Sequence, residues 1–208
     1  MTIRLNGSTS GYTQLDSPAV GGNNTLFLPA GNGTANQILR NGATAGSLEF
    51  TDKIVSGTAV ASTSGTAIDF TGIPSWVKRV TVMFSGVSTN GTSNYRIQLG
   101  AGSNQTTGYN SNCLTASTSA AASTTNATAG FDIGSISTAG ATLYGSAIFS
   151  LLGSNSWVCQ GQFSNIGDSR SHYPAGAVAL SGTLDRIRIT TVNGTDTFDA
   201  GSINILYE

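Results

Sequence analysis

Through most of the chain, apolar residues return at every second position, and no window carries the spacing of an amphipathic helix. Val80, Val82 and Phe84 fall on one side of an extended segment, with Thr81 and Met83 on the other. Tyr95, Ile97 and Leu99 alternate with Arg96 and Gln98, and Ile187 and Ile189 alternate with Arg186 and Arg188. Trp157, Cys159 and Phe163 share a face that excludes Gln160 and Gln162, and Ile203, Ile205 and Tyr207 close the chain in the same style. Period two is the mark of half-buried strands, so the pattern predicts an all-β protein. Asn90-Gly91 and Asn193-Gly194 stand between such runs, and Asn-Gly suits the positive-φ turns of β-hairpins. A C-terminal hairpin joining the Ile187 strand to the last strand is the clearest local expectation.

The texture changes near residue 52. Residues 1–50 carry sparse apolar positions between glycine-rich turns, among them Leu5, Leu26, Phe27, Leu28 and Leu39. These are too few for a private core, so an extended β-rich arm is expected, held by copies of itself or by a partner. Residues 51–66 read as a connecting strand or a linker. Residues 67–208 hold the dense alternation and read as a β-sandwich or jelly-roll head. Within it, residues 114–130 are low in complexity, and both a flexible loop and a surface loop ordered by its neighbours fit that composition.

Composition narrows the function classes. Nearly half of the residues are Gly, Ser, Thr or Asn, whereas 9% are charged and the formal net charge is −1. An ordinary domain is about 25% charged. The nine Lys and Arg are scattered, so no phosphate-tracking surface for nucleic acid or anionic membrane is expected. No apolar run approaches the roughly 20 residues of a membrane span, and the first residues lack the apolar stretch of a secretory signal. Cys113 and Cys159 form no C-x-x-C pair and read as free thiols, although a bridge between them stays open at this level.

Ionisable chemistry is thin. Asp168, His172 and a nearby serine could compose a hydrolytic triad, but no G-x-S-x-G elbow is present, and a loop-exposed His172 is the better reading. No set of His, Cys and carboxylates has metal-ligand spacing; Asp196 and Asp199 fit turn chemistry better than a calcium site. The expectation is therefore a protein that is not an enzyme and has no cofactor and no metal. Tyr109, Asn110, His172 and Tyr173 fall in segments read as loops, and are the candidate ligand-binding residues, with tyrosine faces suited to sugar rings. Trp157 is assigned to the core; Trp76, after Pro74 at a strand start, fits either the core or a subunit interface.

The run FTGIPSWVKRVTV at 70–82, the GVSTNGTS that follows at 86–93, and TFDAGSINI at 197–205 resemble a module of bacteriophage virion proteins of the tail-fibre type. The arm is similar to a phage fibre segment at Gly7-Ser8-Thr9-Ser10-Gly11, Pro18-Ala19-Val20, Thr25-Leu26-Phe27-Leu28-Pro29 and Ala35-Asn36-Gln37-Ile38-Leu39. The resemblance touches most of the chain, least at 103–180, and carries over no catalytic residue. It implies a homotrimeric virion appendage, assembled in the host cytoplasm and joined to other virion proteins of the tail, baseplate or capsid. On this footing the expected function is that of a tail-fibre or tail-tip protein that attaches the particle to a host-surface glycan. Leu5, Leu26, Phe27, Leu28 and Leu39 would then anchor it to the virion. The alternative is a capsid decoration protein that clamps the phage head.

Overall fold

A computed structural model describes residues 3–6, 9–15, 25–34, 37–118 and 121–208. Gly7-Ser8, Pro18-Ala19-Val20 and Ala35-Asn36, three pieces of the fibre-like motifs, lie outside the described residues. The chain divides into two compact units, Met1–Lys53 and Ile54–Glu208. Among the described residues there are strands and turns but no α-helix.

The first unit holds two short hairpins. Strand β1 (Ile3–Asn6) pairs antiparallel with β2 (Tyr12–Leu15), and β3 (Ile38–Asn41) with β4 (Leu48–Thr51). Phe27 joins the second hairpin: its N–H donates to Gly46 O at 2.7 Å and its carbonyl accepts from Leu48 N–H at 2.8 Å. None of residues 5–6, 9–12, 14–15, 25–34 and 37–53 is buried. Leu5, Leu26, Phe27, Leu28 and Leu39 are 50–74% exposed. Four-residue strands in two-stranded sheets bury too little surface to offset the ordering of their own backbone.

The second unit contains β5 (Val55–Ser56), β6 (Val60–Ala61), β7 (Ala67–Thr71), β8 (Arg79–Thr89), β9 (Tyr95–Ala101), β10 (Ser103–Asn104), β11 (Tyr109–Ser117), β12 (Ser123–Ala127), β13 (Phe131–Ile133), β14 (Leu143–Gly153), β15 (Ser156–Asn165), β16 (Arg170–Ala179), β17 (Arg186–Thr191) and β18 (Phe198–Tyr207). The larger sheet runs β12-β11-β16-β15-β14-β8-β18, with β5 and β6 both on the far side of β18. The smaller sheet runs β9-β17-β7, with β10 and β13 on the other side of β9. All ladders are antiparallel. Four of them are nested in sequence: β8 with β18, β9 with β17, β11 with β16, and β14 with β15.

One apolar cluster lies between the inward faces, giving a sandwich-like arrangement. Phe84 of the larger sheet meets Tyr95 of the smaller with ring centroids 6.1 Å apart, and Tyr109 meets Phe131 at 5.1 Å, both edge to face. Trp157 is 2% exposed, as its face-sharing with Cys159 and Phe163 predicts. Each such side chain contributes about 1.5–3 kcal/mol by leaving water. Trp76 is partly exposed, its ring 5.8 Å from that of Tyr207.

Two local expectations are corrected. The C-terminal hairpin does not form: β17 lies in the smaller sheet against β9 and β7, and β18 lies in the larger sheet against β8. Asn193-Gly194 and Asn90-Gly91 are crossings from one sheet to the other. A two-residue I′ hairpin needs positive φ at both central residues, and of these four only Gly194 has it, at 69°. In the stretch 51–66, read as a connecting strand or linker, β5 and β6 are strands that pair with β18 at Tyr207–Leu206 and Ile203–Ser202. Most of the described part of 114–130 is likewise ladder, Ser111–Thr115 of β11 standing against Ala127–Ser123 of β12.

Candidate binding surface

Strand alternation sorts the four expected ligand-binding residues into two pairs. Tyr109 and His172 point inward, 3% and 0% exposed, while their neighbours Asn110 and Tyr173 point outward. The loop reading of all four is thus corrected: they sit on adjacent strands, β11 and β16, where Tyr109 opposes Val178 and Tyr173 opposes Leu114. The Tyr109 hydroxyl accepts from Leu99 N–H at 2.8 Å and donates to Leu99 O at 3.2 Å, tying the larger sheet to the smaller. Burial pushes its pKa up to about 12, against the smaller opposing effect of the Leu99 hydrogen bond. It is a structural side chain.

His172 is equally internal. Its Nδ1 lies 3.0 Å from Thr115 Oγ1, which also contacts Gly134 O at 3.2 Å. The hydroxyl has one proton, so donating it to Gly134 leaves His172 Nδ1–H to donate to Thr115 and places a lone pair on the partnerless Nε2. Burial and the nearby Arg170 charge lower its pKa to about 4, against Asp168, which raises it. Asp168 is not aligned with the imidazole: it accepts from Ser137 N–H at 2.8 Å, Ser137 Oγ at 2.9 Å and Asn165 Nδ2 at 3.0 Å. Asp168 and His172 are therefore each bonded elsewhere and not to one another.

Asp196 and Asp199 are turn and bulge residues. Asp196 accepts from Ser93 N–H at 2.9 Å and Asn193 Nδ2 at 2.6 Å, and Asp199 accepts from the Ser88 hydroxyl. No group of three His, Cys, Asp or Glu side chains capable of holding a metal occurs among the described residues. Cys113 and Cys159 are both buried free thiols.

What the fold does present is a broad neutral face. Outward residues of the larger sheet form rows across the strands. Leu114 stands beside Tyr173; Asn126, Asn112, Ala175, Gln160 and Ile148 follow one another in the next row. Asn112 Nδ2 donates to Asn126 Oδ1 at 2.6 Å, and with Asn110, Thr128 and Ala175 these amides line a groove of about 480 Å³. Ser146, Ile148, Gln160 and Gln162 line a second depression of about 280 Å³. Tyr173 is 39% exposed, and the amides nearby offer both donors and acceptors.

Charge is spent on the other sheet. Arg96 grips Asp132 in a two-point contact at 2.7 and 2.9 Å, and Arg188 grips Asp69 at 2.7 Å twice, each pair directly opposed across a ladder of the smaller sheet. Arg79, at the corner of the neutral face, pairs with Glu208. The face itself therefore offers an aromatic ring, aliphatic patches, hydroxyls and amides. Those groups suit a neutral, hydroxyl-rich ligand, whose C–H surface can rest on Tyr173 while its hydroxyls meet the amides.

Of the residues expected to bind, Asn110 and Tyr173 lie on this face. Asn112 and Asn126 were not anticipated, and the signal for Asn112 was its parity with Asn110 in an alternating run. In the first unit, Leu26, Phe27 and Leu28 are exposed side by side, and Leu5 and Leu39 are exposed on β1 and β3. Compared with family models, curated proteins and solved structures, the chain matches none.

Proposed function

We propose that this chain is a bacteriophage virion structural protein, a tail-fibre or tail-tip component that attaches the particle to a host-surface glycan and performs no catalysis. The observation that carries the reading is the neutral outer face of the larger sheet, where Tyr173 stands one row from Asn112 and Gln160, both beside Ala175. The resemblance of the runs at 70–82, 86–93 and 197–205 to phage fibre modules supports the virion assignment. The nested pairing of β8–β18, β9–β17, β11–β16 and β14–β15 supports a jelly-roll reading of residues 67–208. The uncovered apolar side chains of the first unit support a homotrimer in which this unit meets its own copies and a receiving virion protein. Attachment is multivalent in this scheme: one shallow sugar site per chain is weak, and several copies held together make it firm.

The test is adsorption. Purified full-length protein should bind cells of the bacterial host and block infection, and Tyr173→Ala should weaken both while leaving thermal stability unchanged. Wild-type protein that neither binds cells nor blocks infection overturns the receptor-binding reading. Several hundred copies per particle on a stained gel, instead of a few tens, would replace it with the capsid-decoration role.

A further inference from the structure

Past the Tyr173 row, the larger sheet ends in a groove of about 410 Å³ whose lining includes Ser117, Thr118, Ser164, Ser169, Arg170 and Ser171. The ladder order places it: Ala116 opposes Ser171, Ser171 opposes Ser164, and in the last row Ser117 opposes Arg170 and Arg170 opposes Asn165. Hydroxyls dominate the lining, and Arg170 is its one cation. Arg40, Arg79, Arg96, Arg186 and Arg188 each pair with a carboxylate. Arg170 has no carboxylate at ion-pairing distance among the described residues. Its Nη1 donates to Ser135 O and, at 3.1 Å, to Ser135 Oγ, which fixes the side chain and leaves Nε and Nη2 uncommitted. Asp168, two residues before Arg170 in the chain, does not line the groove. Burial alone would raise its pKa, but hydrogen bonds from Ser137 and Thr138 and the charge of Arg170 together hold it below the usual carboxylate range.

A guanidinium held by Ser135 beside a hydroxyl-lined groove is suited to an anion on a polyhydroxylated ligand. We infer that this groove is an acid-sugar subsite, in which Arg170 takes the carboxylate of a uronic-acid-type residue while the serine and threonine hydroxyls meet its ring hydroxyls. The inference rests on the glycan-binding reading above and narrows its ligand class. Along β16, Ser171 shares the outward parity of Tyr173, whereas Arg170 has the inward parity of His172 and lines the groove where the strand begins. A glycan with one ring on Tyr173 would run along the Ser171 row to set an acidic ring in the groove beside Arg170.

The experiment compares a galacturonic acid trisaccharide with the matching galactose trisaccharide by calorimetry on the full chain. Sodium galacturonate and inorganic phosphate serve as free-anion probes. Wild-type protein should prefer the acidic trisaccharide by about tenfold or more, the scale of one charge-assisted hydrogen bond. Arg170→Gln should erase that preference and leave the neutral affinity in place, whereas Tyr173→Ala should weaken both ligands. Because Arg170 also braces Ser135, Ser171→Asp provides a second route: it keeps the brace, sets a negative charge in the groove, and should reject only the acidic ligand. Equal binding of the two trisaccharides by wild-type protein overturns the inference while cell adsorption can still stand. So does a preference that survives both substitutions, or a phosphate affinity equal to that of the acidic trisaccharide. Loss of cell adsorption as well removes the underlying reading.

Discussion

The carboxylate of Asp196 occupies the space where a side chain on Gly91 would begin: a Cβ built there would lie 2.0 Å from Oδ2 and 2.2 Å from Cγ. The contact locks together two turns that carry the chain between the sheets, one after β8 and one after β17. Asp196 accepts from Ser93 N–H, and Thr197 N–H donates to Asn90 Oδ1 at 2.9 Å, so each turn is bonded to the other. Gly91 is needed here for space, since its φ is not positive.

Gly91→Ala should therefore destabilise the protein by about 1–3 kcal/mol, the usual cost of overpacking a tight contact. The cause is identifiable by a double-mutant cycle in urea. With Asp196→Ala already in place, the added cost of Gly91→Ala should fall by more than half, because the clashing group is gone. Additive costs would mean that Gly91 serves some other purpose.

Pro174 sits inside the larger sheet, between β11 and β15, although proline normally keeps to edges and bulges. The ladder between β15 and β16 breaks from Gln160–Ala175 to Phe163–His172, and Gly161 stands in that gap. A Cβ on Gly161 would come within 3.0 Å of both Pro174 Cγ and Ser146 O. Gly161→Val should lower the melting temperature by several degrees, about 2–4 °C for each kcal/mol lost in a domain of this size. Calorimetry reads this directly, and an unchanged melting temperature would show that β15 shifts freely at this point.

His172 makes folding pH-sensitive. Its pKa is about 4 in the folded protein against 6.5 when free, so between those values the unfolded chain binds the extra proton. Stability from this group is complete above pH 6.5 and falls as the pH drops toward 4, by about 3 kcal/mol in total. Urea titrations at pH 7, 5.5 and 4.5 should show the midpoint falling in that order. In His172→Gln the part of the slope owed to this side chain should vanish, although the variant itself will be less stable than the parent at pH 7.

How much of this was readable beforehand depends on whether a feature is local. The inward residues Val80, Val82, Phe84, Ile187 and Ile189 are legible because burial on one face demands period two. Sheet membership is not: Asn193-Gly194 followed by an alternating run predicts a hairpin, yet β17 bonds to β9 and β18 to β8, partners about 90 and 120 residues away along the chain. The loop reading of Tyr109, Asn110, His172 and Tyr173 fails for a related reason. Tyr109-Asn110 and His172-Tyr173 look like loop sequence because Gly, Ser and Asn surround them, but they lie in ladders, where one member of each pair must turn inward. Arg170 carries no local signal at all, since what sets it apart is that no carboxylate among the described residues pairs with it.

Both thiols lie inside the larger sheet, and burial raises the pKa of each, most strongly for Cys159, with the neighbouring Cys113 adding to the effect there. A thiol reacts as its thiolate, so Cys113 and Cys159 should resist maleimide at pH 8 in native protein and label completely in urea. Intact-mass measurement distinguishes zero from two adducts. Rapid native labelling of either cysteine would place β11 or β15 in a frequently opening part of the sheet.

The last expectation concerns the division at residue 53. Every buried apolar residue among those described belongs to Ile54–Glu208, and the first unit contributes none. A fragment of residues 54–208 should therefore fold on its own, with a melting temperature within a few degrees of the full chain by calorimetry. If the exposed Leu26, Phe27 and Leu28 are covered by other copies, the full chain should be a trimer by light scattering and the fragment a monomer. Replacing those three residues together by serine should give the fragment's behaviour in the full-length protein. A full chain that is monomeric at micromolar concentration would leave a partner of different sequence as the cover for this unit. A fragment that remains trimeric would move the contact to the second unit, where the neutral face around Tyr173 would then be buried between copies and closed to glycan.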